Sequence, residues 1–103
     1  MNLFDAMTEK CWLMESRWRS RTIERLREWY ASPTAVEWRR QMAITSNPGF
    51  LRVLNAYTEA SDLMMNKIYV EEYYAILNCK EYTDEDKAKF TDIMSRELKR
   101  ALP

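Results

Sequence analysis

Apolar side chains recur along this chain at spacings of three and four, the period of helices that bury one face. In the first segment Phe4, Met7, Cys11, Met14 and Trp18 form such a stripe, which then rotates towards Ile23, Leu26 and Tyr30. A short second segment over 33–44 sets Ala35, Trp38 and Met42 on one side and Arg39 and Arg40 elsewhere. The third, over about 48–78, carries Phe50, Val53, Leu54, Tyr57, Ala60, Met64 and Ile68. Continuing that stripe would bring in Glu71 and Glu72, whereas Tyr69, Tyr73, Ile76 and Leu77 define a rotated face, so this helix is expected to bend or change neighbour near Tyr69. The fourth follows Thr83, with Phe90, Ile93, Met94, Leu98 and Ala101 on one face. Asp84, Glu85 and Asp86 sit at its positive end and Arg96, Lys99 and Arg100 at its negative end.

Three breaks separate these segments: ASPT at 31–34, TSNPG at 45–49 and NCKEYTDED at 78–86. Ser32-Pro33 and Asn47-Pro48 each suit an N-cap followed by proline at the first helical position, where the missing N–H costs nothing. Thr83 and Asp86 form a variant capping box. With Gly49 the only glycine, the chain lacks the left-handed turn positions that hairpin folds need. The expectation is an all-α, compact bundle of about four helices, a single domain over 1–103, with the first and third helices long and bent or broken. A straight first helix over 3–31 would measure roughly 44 Å, against about 30 Å for a small domain. It is expected to break near Ser20, or to project and dimerise.

A composition of 47% hydrophobic, 13% aromatic and 31% charged residues is that of a folded chain. No apolar run approaches the roughly 18 residues of a membrane span, and MNLFDAMTEK has acids where a signal peptide is basic, so a cytoplasmic protein with no membrane contact is expected. Cys11 and Cys79 fit no CxxC or zinc spacing and read as reduced, core-facing thiols, with a disulfide as the lesser alternative. Net charge is zero, but residues 1–52 hold nine basic and six acidic side chains and residues 53–103 seven and ten, so the halves differ by +3 against −3.

The chain has no histidine, which removes the commonest general base, the usual nucleophile pairs and most zinc and haem ligation. One glycine cannot build a phosphate-cradling loop. Of the acidic groups, Glu71-Glu72 point about 100° apart on a helix, the 84–86 cluster serves a helix start, and TDEDKAKF lacks the alternating ligands and central glycine of a calcium loop. No enzyme activity, metal or cofactor is expected.

Binding remains. The stretch ESRWRSRTIERLREWY at 15–30 holds five arginines, but on a helix Glu24 and Glu28 come within reach of Arg21 and Arg25, and Glu15 stands four residues before Arg19. Only Arg17 lacks a partner on its own helix. Trp12 and Leu13 lie off the buried face, and Tyr73 and Tyr74 cannot both face one core, so some large apolar side chains are expected at the surface. Trp, Tyr, Met and Arg are the types enriched at interfaces.

Trp12, Arg17, Arg19, Arg21, Trp38, Arg39 and Arg40 are therefore the candidate partner-binding residues of a small regulator or inhibitor, with a protein as the expected partner and steric occlusion as the mechanism. Phage-encoded inhibitors of host machinery are of this size and kind, an analogy of class. Two alternatives stand beside it. One is a nucleic-acid-associated regulator using the Arg/Trp-rich 15–40 region. The other is a structural homodimer through the first helix or the rotated face of Tyr69, Tyr73, Ile76 and Leu77.

Two fragments, LMESRWRSRTIERL at 13–26 and SNPGFLRVLNAYTEASDLMMNKIY at 46–69, resemble parts of the Hha/YmoA family, small helical modulators that bind the nucleoid protein H-NS. The resemblance covers under half of the chain, an extra stretch separates the fragments, and the tail beyond Tyr69 departs from it. The family's acidic partner-contacting position in its third helix falls on Tyr57. Nothing is carried over from it to this chain.

Overall fold

A computed structural model describes the backbone of residues 3–101 and the side chains of residues 9–96. Four helices follow in order: α1 (Leu3–Tyr30), α2 (Pro33–Ile44), α3 (Asn47–Leu77) and α4 (Asp84–Ala101). The fold is all-α, with no strand among the described residues.

The helix ends form for local reasons. Ser32 caps α2, its Oγ accepting from the Ala35 N–H at 3.3 Å, with Pro33 at the first helical position. At α3 the helix starts one residue earlier than the Asn-Pro pair suggests: Asn47 is already helical, and the Phe50 N–H donates to the Ser46 carbonyl at 2.8 Å. The Thr83–Asp86 capping box is closed in both directions, Asp86 N–H to Thr83 Oγ1 at 3.2 Å and Thr83 N–H to Asp86 Oδ2 at 3.4 Å.

The expected break near Ser20 is absent, since α1 stays helical through all 28 of its residues. What changes along the helix is its neighbours. The chain divides into two compact units, one of Met1–Ser20 with Glu72–Pro103 and the other of Arg21–Glu71. The divisions fall at Ser20 on α1 and Glu71 on α3, where the apolar stripes rotate. A serine at the first of these costs a helix only a few tenths of a kcal/mol, too little to interrupt it.

The first unit packs the early part of α1, the last turns of α3 and α4. Cys11, Met14, Trp18, Ile76, Phe90 and Met94 are buried, and Met14 and Phe90 have no exposed surface. The Phe90 ring lies 5.8 Å from that of Tyr73, whose hydroxyl donates to Thr91 Oγ1 at 3.1 Å; Thr91 in turn donates to the Lys87 carbonyl at 2.8 Å. Asp86 is buried by the same packing, with Lys10 Nζ 3.8 Å away. Burial, and then the nearby Asp86 carboxylate, push the Cys11 thiol above its ordinary pKa, so it stays protonated and unreactive at neutral pH. Both cysteines are free; Cys11 is buried as expected, whereas Cys79 is only half-buried, in the loop between α3 and α4. Phe4, Met7, Leu98, Lys99, Arg100 and Ala101 lie outside the residues whose side chains are described.

The second unit packs the end of α1, α2 and most of α3, and its interior is more open. Only Thr22, Ala35 and Ile68 are buried among its described side chains, while Leu26, Trp29, Trp38, Met42, Val53, Leu54, Tyr57, Ala60 and Met64 are half-buried. A chain of edge-on rings ties the three helices together: Trp29 to Trp38 at 6.3 Å and Trp38 to Tyr57 at 6.4 Å. Trp29 Nε1 donates to Ser61 Oγ at 3.2 Å. At the turn into α3, Gly49 sits so close to the Thr45 methyl that a Cβ would collide with it, and this is the one position where the chain needs glycine for space.

Thr22 Oγ1 is buried without a hydrogen-bond partner among the described residues. An unpaired hydroxyl in a packed interior costs about 1–3 kcal/mol, so Thr22→Val, which keeps the shape and removes the hydroxyl, raises stability by about 1 kcal/mol. A higher urea midpoint at unchanged slope is the expected reading, and a lower midpoint would show that the hydroxyl is bonded after all.

Candidate partner-binding surface

The seven candidate residues divide between the two units, Trp12, Arg17 and Arg19 in the first and Arg21, Trp38, Arg39 and Arg40 in the second. In the first unit Trp12 stands outward, 68% exposed, with Leu13 beside it at 61%. Arg17, which lacks a partner on its own helix, finds one elsewhere in the unit: its guanidinium donates to Tyr82 Oη at 3.3 Å and Glu81 Oε2 at 3.5 Å, and lies 3.9 Å from Cys79 Sγ. The hydrogen bond to Tyr82 leads the effects that hold its pKa above the ordinary value. Arg19 donates to Glu15 at 2.8 Å through one nitrogen and 3.2 Å through another.

In the second unit Arg21 pairs with Glu24 at 3.1 Å, as helical spacing implies. Arg25 pairs at 2.9 Å with Glu71 of α3, and Lys67 approaches the same carboxylate at 3.9 Å. Trp38 turns inward to the ring chain. Arg39 stacks over the Tyr30 ring, 3.6 Å from its centroid, and donates to the Tyr30 carbonyl at 2.6 Å and to Tyr57 Oη at 3.2 Å. The guanidinium thus bridges from α2 to the end of α1 and to a residue inside α3, a packing role within the unit.

Arg40 is held by Glu37 one turn earlier, through Nε at 2.9 Å. This contact, and then the Gln41 amide, lower the Glu37 carboxyl from 4.5 to about 2. Because the folded value lies below the ordinary one, the stabilisation from this carboxylate is present above pH 4.5 and disappears as pH falls towards 2. Carbon-detected NMR titration should place the Glu37 midpoint near 2, and Arg40→Ala should move it upward. An unmoved midpoint would mean that the pair does not hold in solution.

Most of the exposed apolar surface belongs to residues outside the seven. Of the eleven large apolar side chains exposed among the described residues, eight lie in the second unit: Ile23, Tyr30, Val36, Ile44, Phe50, Leu51, Leu63 and Val70. Ile44 at 70%, Leu63 at 66% and Tyr30 at 58% are the most open of these, with Leu51 next at 54%. A signal for part of this set exists in the sequence, because α2 carries apolar residues at Val36, Ala43 and Ile44 as well as along Ala35, Trp38 and Met42, so both of its sides are apolar.

Among the described residues no group of three or more Cys, Asp and Glu side chains is placed to hold a metal ion. None of their helices is long and apolar enough to cross a membrane. The chain has no significant match among protein-family models, curated proteins or solved structures.

Proposed function

We propose that this chain is a small, non-enzymatic helical protein that binds another protein and regulates or inhibits it by covering a surface of that partner. The observation that carries this reading is the concentration of exposed Ile44, Phe50, Leu51 and Leu63 in a unit whose own interior is only half-buried. Scattered single apolar side chains are ordinary on a protein surface, but a concentration of them is characteristic of interaction sites. Trp12 and Leu13 are a separate exposed pair in the first unit.

The arginines favour a protein partner over nucleic acid. Arg19, Arg21 and Arg40 are each answered by a carboxylate on their own helix, Arg17 meets Glu81, and Arg39 is taken up by Tyr30 and Tyr57. A phosphate grip needs cations that neutralise phosphates in place of counterions, and pre-paired cations release few.

The test is affinity capture from nuclease-treated extract of the cells that carry the protein, followed by reconstitution with the purified captured protein. The expected complex is one to one, weakened by Trp12→Ala or by Ile44→Ser with Leu51→Ser, while circular dichroism of these variants is unchanged. Two results would overturn the reading: a DNA or RNA shift that falls steeply with salt but persists at physiological ionic strength, or a free chain of twice the monomer mass by light scattering that captures no partner.

A further inference from the structure

A line of exposed side chains runs along the part of α3 that belongs to the second unit. Ala56, Glu59, Leu63, Lys67 and Val70 follow one another at steps of three, four, four and three residues, so they share one side of an unbroken helix, and all five are exposed. Leu63 is 66% and Val70 44% exposed. Glu59 has no ion-pair partner among the described residues. Lys67 reaches only the Glu71 carboxylate, at 3.9 Å, which Arg25 already holds at 2.9 Å.

The line reads apolar, acidic, apolar, basic, apolar. Reversed, it keeps its apolar positions and exchanges only the sign of its charges, so it is complementary to an antiparallel copy of itself. We propose that α3 pairs with α3 of a second copy of this chain, antiparallel about a two-fold axis at Leu63. In such an isologous pair, residues equally far before and after the axis come opposite one another. Leu63 meets Leu63, Glu59 meets Lys67 twice, and the small Ala56 meets Val70 at each end.

The neighbouring charges select this register. Asp62 falls against Met64 and Glu71 against Asn55, so no like charges oppose each other. Sliding the copy by seven residues one way sets Asp62 against Glu71, and the other way sets Arg52 against Lys67. A parallel pair in register would set Glu59 against Glu59 and Lys67 against Lys67. Like charges placed opposite suppress such arrangements.

From Ala56 to Val70 the helix runs about 21 Å. One helix pair of that length buries less than about 1,200 Å² in total, the range of weak and transient association. The dimer does not use Trp12, Ile44 or Leu51, so each copy still offers these to a partner, and partner binding stays one to one.

Sedimentation equilibrium of the full chain over roughly 5–500 µM tests this. The unaltered chain should pass from monomer to dimer as concentration rises. Glu59→Lys alone and Lys67→Glu alone each bring like charges together and should weaken the dimer at least about tenfold. An equimolar mixture of these two variants should regain a mixed dimer, because both altered faces are then opposite in sign. The double variant carrying both substitutions should regain a dimer with itself. Leu63→Lys should remain monomeric with unchanged circular dichroism and urea midpoint, and should still capture the partner.

A monomer at the highest concentration, a dimer indifferent to the single reversals, or no recovery in either the mixture or the double variant overturns the proposal. Loss of partner capture by Leu63→Lys at unchanged stability also overturns it, since this face would then belong to the partner. A dimer that obeys the charge reversals in a chain that captures no partner supports the pairing and removes the protein-binding reading instead.

Discussion

Phe90→Ala should lower the unfolding free energy by about 3–5 kcal/mol, the usual cost of deleting a fully buried aromatic ring. Phe90 has no exposed surface, it faces the Tyr73 ring at 5.8 Å, and it shares its interior with Met14 and Met94, also fully or almost fully buried. Removing the ring forfeits both its transfer from water and the contacts of the void left behind, since three packed helices cannot close over it completely. Against a total stability of about 5–15 kcal/mol for a domain of ordinary size, the variant should be marginal. Tyr73→Phe is the graded companion. It keeps the ring pair but deletes the hydroxyl that donates to Thr91, which still donates to the Lys87 carbonyl, so its cost is about 1 kcal/mol. Urea unfolding followed by far-ultraviolet circular dichroism checks both, and a Phe90→Ala loss below that of Tyr73→Phe would show that this interior is not packed as described.

Phe90 also shows which parts of the fold could be read from the sequence. Its place on the buried face of α4 follows from helical period alone, as does the inward turn of Met14 and Trp18, because one helix and one covered face decide them. Ion pairs within a single helix are legible for the same reason, and Glu15–Arg19 and Arg21–Glu24 both form. The rotated stripes near Ser20 and Tyr69 carried real information, but about a change of neighbour and not a broken helix. A change of face and a break leave the same mark on an apolar pattern.

Contacts between helices were out of reach. Arg25 pairs with Glu71, which only the packing of α1 on α3 brings close and no spacing along one helix could indicate. Helical spacing shows that Arg17 lacks a partner on its own helix, but that Tyr82 and Glu81 meet it depends on the path of the loop before α4. The candidate surface was the least legible element. Residue types enriched in interfaces are also those that fill irregular interiors, so type alone points to Trp38 and Arg39, which pack within the unit, and not to Val36 and Ile44, which stand exposed.

Trp38→Ala accordingly should act on the fold and Trp12→Ala should not. Trp38 is half-buried and meets Trp29 and Tyr57 edge-on, each such pair being worth about 0.5–1.5 kcal/mol beyond burial. With the lost apolar area, and with relief from its partial exposure, Trp38→Ala should cost about 2–4 kcal/mol. Trp12, 68% exposed, should change stability by less than about 0.5 kcal/mol. The two variants therefore separate two causes of a binding defect that a single alanine substitution confounds. A complex lost with Trp38→Ala but regained below its melting temperature, or with Trp38→Phe, reports the integrity of the ring chain. A complex lost with Trp12→Ala or Ile44→Ser at full stability reports a direct contact. Equal stability of Trp38→Ala and Trp12→Ala would contradict the inward placement of Trp38, and with it the assignment of the binding surface to the exposed aliphatic side chains of the second unit.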